Sequence, residues 1–254
     1  MTVHAVIPDC QVKPGYSTEY LGYIGQYIAD KKPDTIVCLG DFADMPSLSS
    51  YDRGRKSFEG RRYRSDLEAV WKGMDNLLKP IQKEVGASRR NKNPWKPNKI
   101  MLLGNHENRI NKVVEEDARL EGTISHNDLG YEAAGWEVVS FLQPKIIDGV
   151  VYCHYLVSGV MGRPITSASR LLSTRHMSCV VGHQQGRQIA TAVRADGSLI
   201  TAIIAGSAYE HDEDYLGPQG NNHWRGIIFL HEVNNGSFDE MFVSLNYLRK
   251  RYGS

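Results

Sequence analysis

The chain has 254 residues, of which 23% are charged and 41% hydrophobic, with 30 basic against 29 acidic side chains. That composition excludes a disordered or low-complexity chain. No run reaches the roughly 18 apolar residues of a membrane span, and Met1 to Asp9 enters an apolar stretch without a charged leader, so no membrane partner is expected. Cys10, Cys38, Cys153 and Cys179 form no CxxC pair and read as reduced, mostly buried thiols of a cytoplasmic protein.

Val3 to Asp9 reads as a buried strand ending abruptly at polar residues. Ser17 then caps a helix whose Tyr20, Leu21, Ile24 and Ile28 share one face, ending before Pro33. Thr35 to Asp41 is the second strand, completing a βαβ unit. The charge now changes sign: residues 1–52 sum to −4, 53–99 to +9 and the remainder to −4. The 53–99 segment contains a helical pattern, Tyr63 to Lys79, and a polar connector, Ser88 to Asn98, before a third strand at Lys99 to Asn105. It reads as a basic helical insertion at the rim of the site, suited to a polyanionic partner or simply to a solvated helix face.

Beyond residue 136, short β-rich runs joined by turns such as Ile147-Asp148-Gly149 and Ala195-Asp196-Gly197-Ser198 predict mostly antiparallel sheet. One helix, from about Ile165 to His176, interrupts it. With no internal repeat and no clear linker, residues 1–254 form a single α/β domain, its two halves supplying two sheets packed face to face with helices outside.

In open α/β sheets, ligand groups gather past the carboxyl ends of strands. Asp9 and Gln11 follow the first strand, Asp41 and Asp44 the second, Asn105 and His106 the third, His154 a fourth, and His183 and Gln185 a fifth. One such Asp is ordinarily a turn or cap residue; five successive strand ends bearing ligand-type side chains form a pattern.

PDCQ, GDFAD, GNHE, CHY and GHQQ, in this order, resemble the DxH, GDxxD, GNH(D/E), (G/A)H and GHxH motifs of calcineurin-like metallophosphoesterases. SLSSYDRGRKSFEGRRY is also similar to members encoded by tailed bacteriophages. The resemblance implies a four-layer αββα sandwich of two mixed sheets holding two divalent metals. Asp41 would bridge them, Asn105, His154 and His183 would complete the second site, and Asp9, Gln11 and Gln185 the first. Gln11 and Gln185 stand where the family pattern has histidines. An amide oxygen is a harder, weaker, uncharged ligand, which favours Mn²⁺ or Mg²⁺ over Zn²⁺, with iron a further alternative. Either the first metal is labile or the site is degraded.

In the intact case, hydroxide bridging two metals attacks phosphorus in line. His106 then protonates the leaving group and Asp44 orients its ring, unless Asp44 is merely a helix N-cap. Glu107 reads as a first-turn helix carboxylate rather than a ligand. His211, within the acidic His211 to Asp214, reads as an alternative ligand, a lid or a solvated loop.

Candidate substrate contacts are Arg53, Arg55, Arg61, Arg62 and Arg163, with Tyr51, Phe58 and Tyr63 interleaved and Arg89, Arg90, Lys92, Trp95 and Lys96 further on. Basic groups with stacking aromatics suit DNA or RNA; the same aromatics also suit a helix core. A phosphodiesterase, a phosphomonoesterase and a nucleic-acid-binding protein with a failed first site all remain open.

Overall fold

The computed structural model describes residues 1–213 and 217–253. Its first half runs β1 (Thr2–Ile7), α1 (Glu19–Lys31), β2 (Thr35–Cys38), α2 (Tyr63–Ser88), β3 (Asn98–Leu102), α3 (Arg109–Glu116) and β4 (Glu137–Val139). There follow β5 (Lys145–Ile147), β6 (Val150–Cys153), β7 (Val157–Ser158), β8 (Arg163–Pro164), α4 (Ala168–Arg175), β9 (Cys179–Val181), β10 (Gln188–Val193) and β11 (Leu199–Ile204). The one-turn α5 (Gly217–Gly220), the hairpin β12 (Gly226–Asn234) and β13 (Ser237–Ser244), and α6 (Leu245–Tyr252) close the chain.

The six-stranded sheet has the order β13-β12-β1-β2-β3-β4 and the five-stranded sheet β10-β11-β9-β6-β5. Strands β1 to β4 pair in parallel because helices or long crossovers separate them. The second sheet is mixed rather than mostly antiparallel, since β9 lies parallel to both β6 and β11. Nor does each half keep to its own sheet. Strand β12 crosses back to pair antiparallel with β1, so the end of the chain completes the first sheet.

Side-chain alternation sorts the residues into four layers. Ala5, Ile7, Ile36, Cys38 and Met101 face α1, α2 and α6, packing on Leu21, Ile28, Leu77 and Leu248. Their neighbours Val6, Val37, Leu39, Ile100 and Leu102 point the other way, against Val150, Tyr152, Val180 and Ile203 of the second sheet. On the far side Val151, Cys153, Val181 and Ile204 meet Leu171 and Leu172 of α4. This period-two division is what a sheet buried on both faces requires, and it yields the αββα sandwich. Each fully buried Leu, Ile or Val contributes roughly 1.5–3 kcal/mol, so all three layers of apolar contact help hold the strand ends in register.

Helix α2 runs to Ser88, past Lys79 and through Pro80. Its buried stripe of Leu67, Val70, Met74, Leu77 and Leu78 continues at Ile81, and that contact carries the helix across a residue costing about 3 kcal/mol in a helix interior. The C-terminal segment is also folded: Leu248 of α6 is fully buried in the first layer. All four cysteines are buried and unpaired. Among the described residues no helix is long and apolar enough to cross a membrane.

Candidate metal centre

The carboxyl ends of β1, β2, β3, β6 and β9 bring the five motifs together. Asp41 O accepts from Cys10 N at 3.0 Å and Gln11 N at 2.8 Å, tying the first loop to the second. Fully buried Glu107 ties the second to the third: Oε2 accepts from Asp41 N and Gly104 N, and Oε1 from Ala43 N, each at 2.9 Å, with Tyr131 Oη adding a bond at 3.2 Å. Helix α3 begins only at Arg109, so Glu107 is not the first-turn helix carboxylate expected from the sequence. Its oxygens are already engaged by four donors, which makes it a staple between loops.

Two motif glycines make room for carboxylates. A Cβ at Gly104 would lie 2.1 Å from Asp41 Oδ1, and one at Gly182 would lie 2.6 Å from Asp9 Oδ1. The backbone is also held in left-handed conformation at Gln11 (φ 44°), Asp41 (φ 49°), Met45 (φ 53°) and His183 (φ 66°). Non-glycine residues there cost of order 1 kcal/mol or more each, a concentration of strain that accompanies functional sites.

One flank of the centre is rich in nitrogen. Ligand atoms of Asp41, His154 and His183 all lie within 4.8 Å of one another. His154 Nε2 is 2.9 Å from Asn105 Oδ1 and 3.4 Å from Asp41 Oδ2, and His183 Nδ1 is 2.8 Å from the same Asn105 oxygen. His154 Nδ1 sits 2.9 Å from Leu39 O, so Nδ1 donates there and Nε2 is turned toward Asp41 and Asn105. Burial lowers the His154 pKa, but Asp41 overrides it and pushes the value up to about 9. Burial, helped by His154, pushes His183 down to about 4.

The other flank offers oxygen alone. Asp9 Oδ1 accepts from His183 N at 3.1 Å, while Asp9 Oδ2, Gln11 Oε1 and Gln185 Oε1 are buried with no hydrogen-bond partner among the described residues. Burial, reinforced by the charge of Asp41, drives the Asp9 carboxyl pKa upward. A buried oxygen without a donor costs about 1–3 kcal/mol, and oxygen-only sets suit hard cations.

Beside both flanks, His106 Nδ1 lies 2.7 Å from Asp44 Oδ1 and His106 Nε2 3.8 Å from Asp41 Oδ2. Met45, not Asp44, precedes the 3₁₀ turn Pro46–Leu48, so Asp44 is not an N-cap. Despite burial, the bond from His106 and the charges of His106, Lys13 and Arg109 hold Asp44 well below the usual carboxylate range. Burial opposes His106 ionisation, but Asp41 foremost and then Asp44 raise its pKa.

A cavity of about 830 Å³ opens from Asn105, His106 and His183 toward Arg55, Arg61 and Arg62. The basic segment therefore divides. Arg61 is tied to Asp52 at 2.7 Å and Pro46 O at 3.0 Å and braces the wall, whereas Arg53 pairs with Glu116 at 3.0 Å away from the lining. Arg163, in β8, does not line the cavity either, nor do Arg89, Arg90, Lys92 and Lys96. Tyr63 and Trp95 are structural, bonding Asp128 and Pro33 O. Arg55, Arg62 and Tyr51 remain on the cleft. Helix α2 itself packs on α1 as part of an outer layer of the sandwich.

Three lining residues escape the motif pattern. Lys13 Nζ bridges Glu213 at 2.6 Å and Asp44 at 3.3 Å, and Arg109 reaches Asp44 from the other side. Lys13 and Arg109 follow Gln11 and His106 by two and three residues, a local signal that was readable; Glu213 has none. His211 is not a solvated loop residue: its Nε2 lies 2.7 Å from Glu213, and its ring packs on Tyr209 and Tyr16. Asp214 lies outside the described residues.

No protein-family model matches the chain, and no curated protein matches it. One solved structure aligns over 96% of this chain and 99% of its own at 11% identity, with a TM-score of 0.38, a likeness too slight to speak for fold or function.

Proposed function

We propose that the chain is a metal-dependent phosphoric ester hydrolase, a calcineurin-like metallophosphoesterase cutting phosphodiester bonds of nucleic acids or nucleotides. The reading rests above all on three buried oxygens that no donor reaches among the described residues, Asp9 Oδ2, Gln11 Oε1 and Gln185 Oε1, set beside the converging Asp41, Asn105, His154 and His183. Cations satisfy what donors do not.

The residues fit two divalent ions sharing Asp41, with Asn105, His154 and His183 for one and Asp9, Gln11 and Gln185 for the other. The mixed set favours Mn²⁺ over Mg²⁺, Zn²⁺ or iron. Such ions supply Lewis acidity to a water nucleophile and to phosphoryl oxygens. The chain supplies orientation and a proton. Leu39 O fixes the His154 tautomer, and Asp44 holds His106 Nδ1 so that Nε2 can hand a proton to the departing oxygen. The cleft exceeds a single phosphoryl group, and Arg55 and Arg62 can contact further phosphates. Tyr51, 81% exposed, can stack on a base. The buried thiols suit a cytoplasmic protein.

The test is protein stripped of metal, reloaded with Mn²⁺ and assayed on bis(p-nitrophenyl) phosphate and p-nitrophenyl phosphate, with Asp41→Asn as control. Expected is faster diester turnover, inhibited by oligonucleotides in a salt-dependent manner and reduced about 10³-fold or more without the shared carboxylate. Preference for the monoester with no response to oligonucleotides would instead indicate a phosphatase. Oligonucleotide binding without turnover in any metal would sink the enzyme reading.

A further inference from the structure

Arg109, the first residue of α3, is held in an unusual way. Its Nη1 donates to Asp44 O at 2.7 Å and to Asp44 Oδ1 and Met45 O at 3.3 Å each. Those three acceptors fix one arm of the guanidinium on the loop that carries Asp44. The other arm, Nη2, lies 3.3 Å from His106 Nε2, the ring nitrogen that faces Asp41. The side chain is 16% exposed and lines the same cavity as Asn105, His106 and His183.

The other cleft cations are placed differently. Arg61 is held by Asp52 and a backbone carbonyl, and Lys13 is shared by two carboxylates. Arg109 alone among the described cations contacts His106 Nε2. An oxygen that takes a proton from that nitrogen on the side of the ring facing Arg109 is also within reach of Nη2. A guanidinium stays charged and presents a rigid fork, so an arm anchored at Nη1 leaves Nη2 pre-aimed without further ordering.

The geometry points to Arg109 as a catalytic residue that binds the leaving-group oxygen of the phosphate ester beside His106. This inference rests on the phosphoesterase reading. As the ester P–O bond breaks, negative charge gathers on the departing oxygen; Nη2–H donates to it while His106 protonates it, and Arg109 exchanges no proton. Such a donor acts most where the leaving group is most basic.

The experiment compares wild type, Arg109→Lys and Arg109→Gln, loaded with Mn²⁺, on methyl p-nitrophenyl phosphate, bis(p-nitrophenyl) phosphate and a dinucleotide with an alkoxide leaving group. Lysine has one nitrogen: it can keep the bond to the Asp44–Met45 carbonyls, and with it the loop, but cannot also supply the second arm. Thermal melts and Mn²⁺ binding by electron paramagnetic resonance, both expected unchanged in the lysine variant, check that the loop survives. The expected result is a fall in kcat, at constant KM, of about 10²-fold or more for the alkoxide and under about 10-fold for p-nitrophenolate. Equal losses for all leaving groups would overturn the role of Arg109 while leaving the phosphoesterase reading intact. A wild type that turns over none of the esters would overturn both.

Discussion

The two flanks of the centre share Asp41 and differ in almost everything else. On the nitrogen side, Leu39 O fixes one imidazole, Asn105 sits between both rings, and Asp41 pushes the His154 pKa up to about 9. On the oxygen side, three buried oxygens have no partner among the described residues, and two of them belong to neutral amides. One flank is therefore held by hydrogen bonds within the chain, and the other keeps acceptors that the described residues leave unmet. If the proposed ions bind, unequal affinities follow from this chemistry rather than from exposure, since each flank combines fully buried ligand residues, His154 on one and Asp9 and Gln11 on the other, with half-buried ones, Asn105 and His183 against Gln185.

The largest effect should come from breaking the nitrogen side. His154→Ala is expected to weaken metal binding by more than the 10–100-fold typical of losing a ligand's supporting partner, with Gln185→Ala below that range; calorimetric Mn²⁺ titrations of both variants would show it. Equal losses would mean that the flanks are equivalent. A smaller change should come from making them alike. The double variant Gln11→His, Gln185→His is expected to retain about two equivalents of Zn²⁺ after dialysis against a weak chelator, against about one in the wild type, by elemental analysis. Retention of both ions by the wild type would remove the asymmetry.

The smallest effect lies at the opposite end of the sandwich, where a buried polar group is fully paired. His4 Nδ1 bonds Tyr152 Oη at 2.7 Å and Nε2 bonds Asp148 at 3.0 Å, linking the two sheets. Burial lowers the His4 pKa, with Asp148 opposing it less strongly. The unfolded chain then takes up this proton first, so the contribution of His4 is complete above about pH 6.5 and is lost as pH falls toward the lower folded-state value. The melting-temperature advantage of wild type over His4→Gln should shrink between pH 7.5 and 5, and a constant difference would refute the linkage. Tyr152→Phe should cost about 1 kcal/mol at neutral pH.

Much of the centre was legible in the chain because strand ends are local events. An apolar run that stops at a polar residue says where a side chain emerges, and Asp9, Asp41, Asn105, His154 and His183 all emerge at such stops. The glycines before Asn105 and His183 belong to the same signal, since each leaves space for a carboxylate from another strand. The rim was not legible in this way. Arg53, Arg55, Arg61 and Arg62 are alike in sequence, yet Glu116 turns the first away and Asp52 pins the third.

The sequence by itself determined the first βαβ unit, the apolar runs that become buried strands and the residues at their carboxyl ends, because these depend on period and on neighbours a few positions away. Tertiary structure decided the return of β12 to the first sheet, the stapling by Glu107, the meeting of Lys13 with Glu213 and the aim of Arg109. Long charged side chains reach in many directions, and only the carboxylates and carbonyls brought beside them by the fold select one.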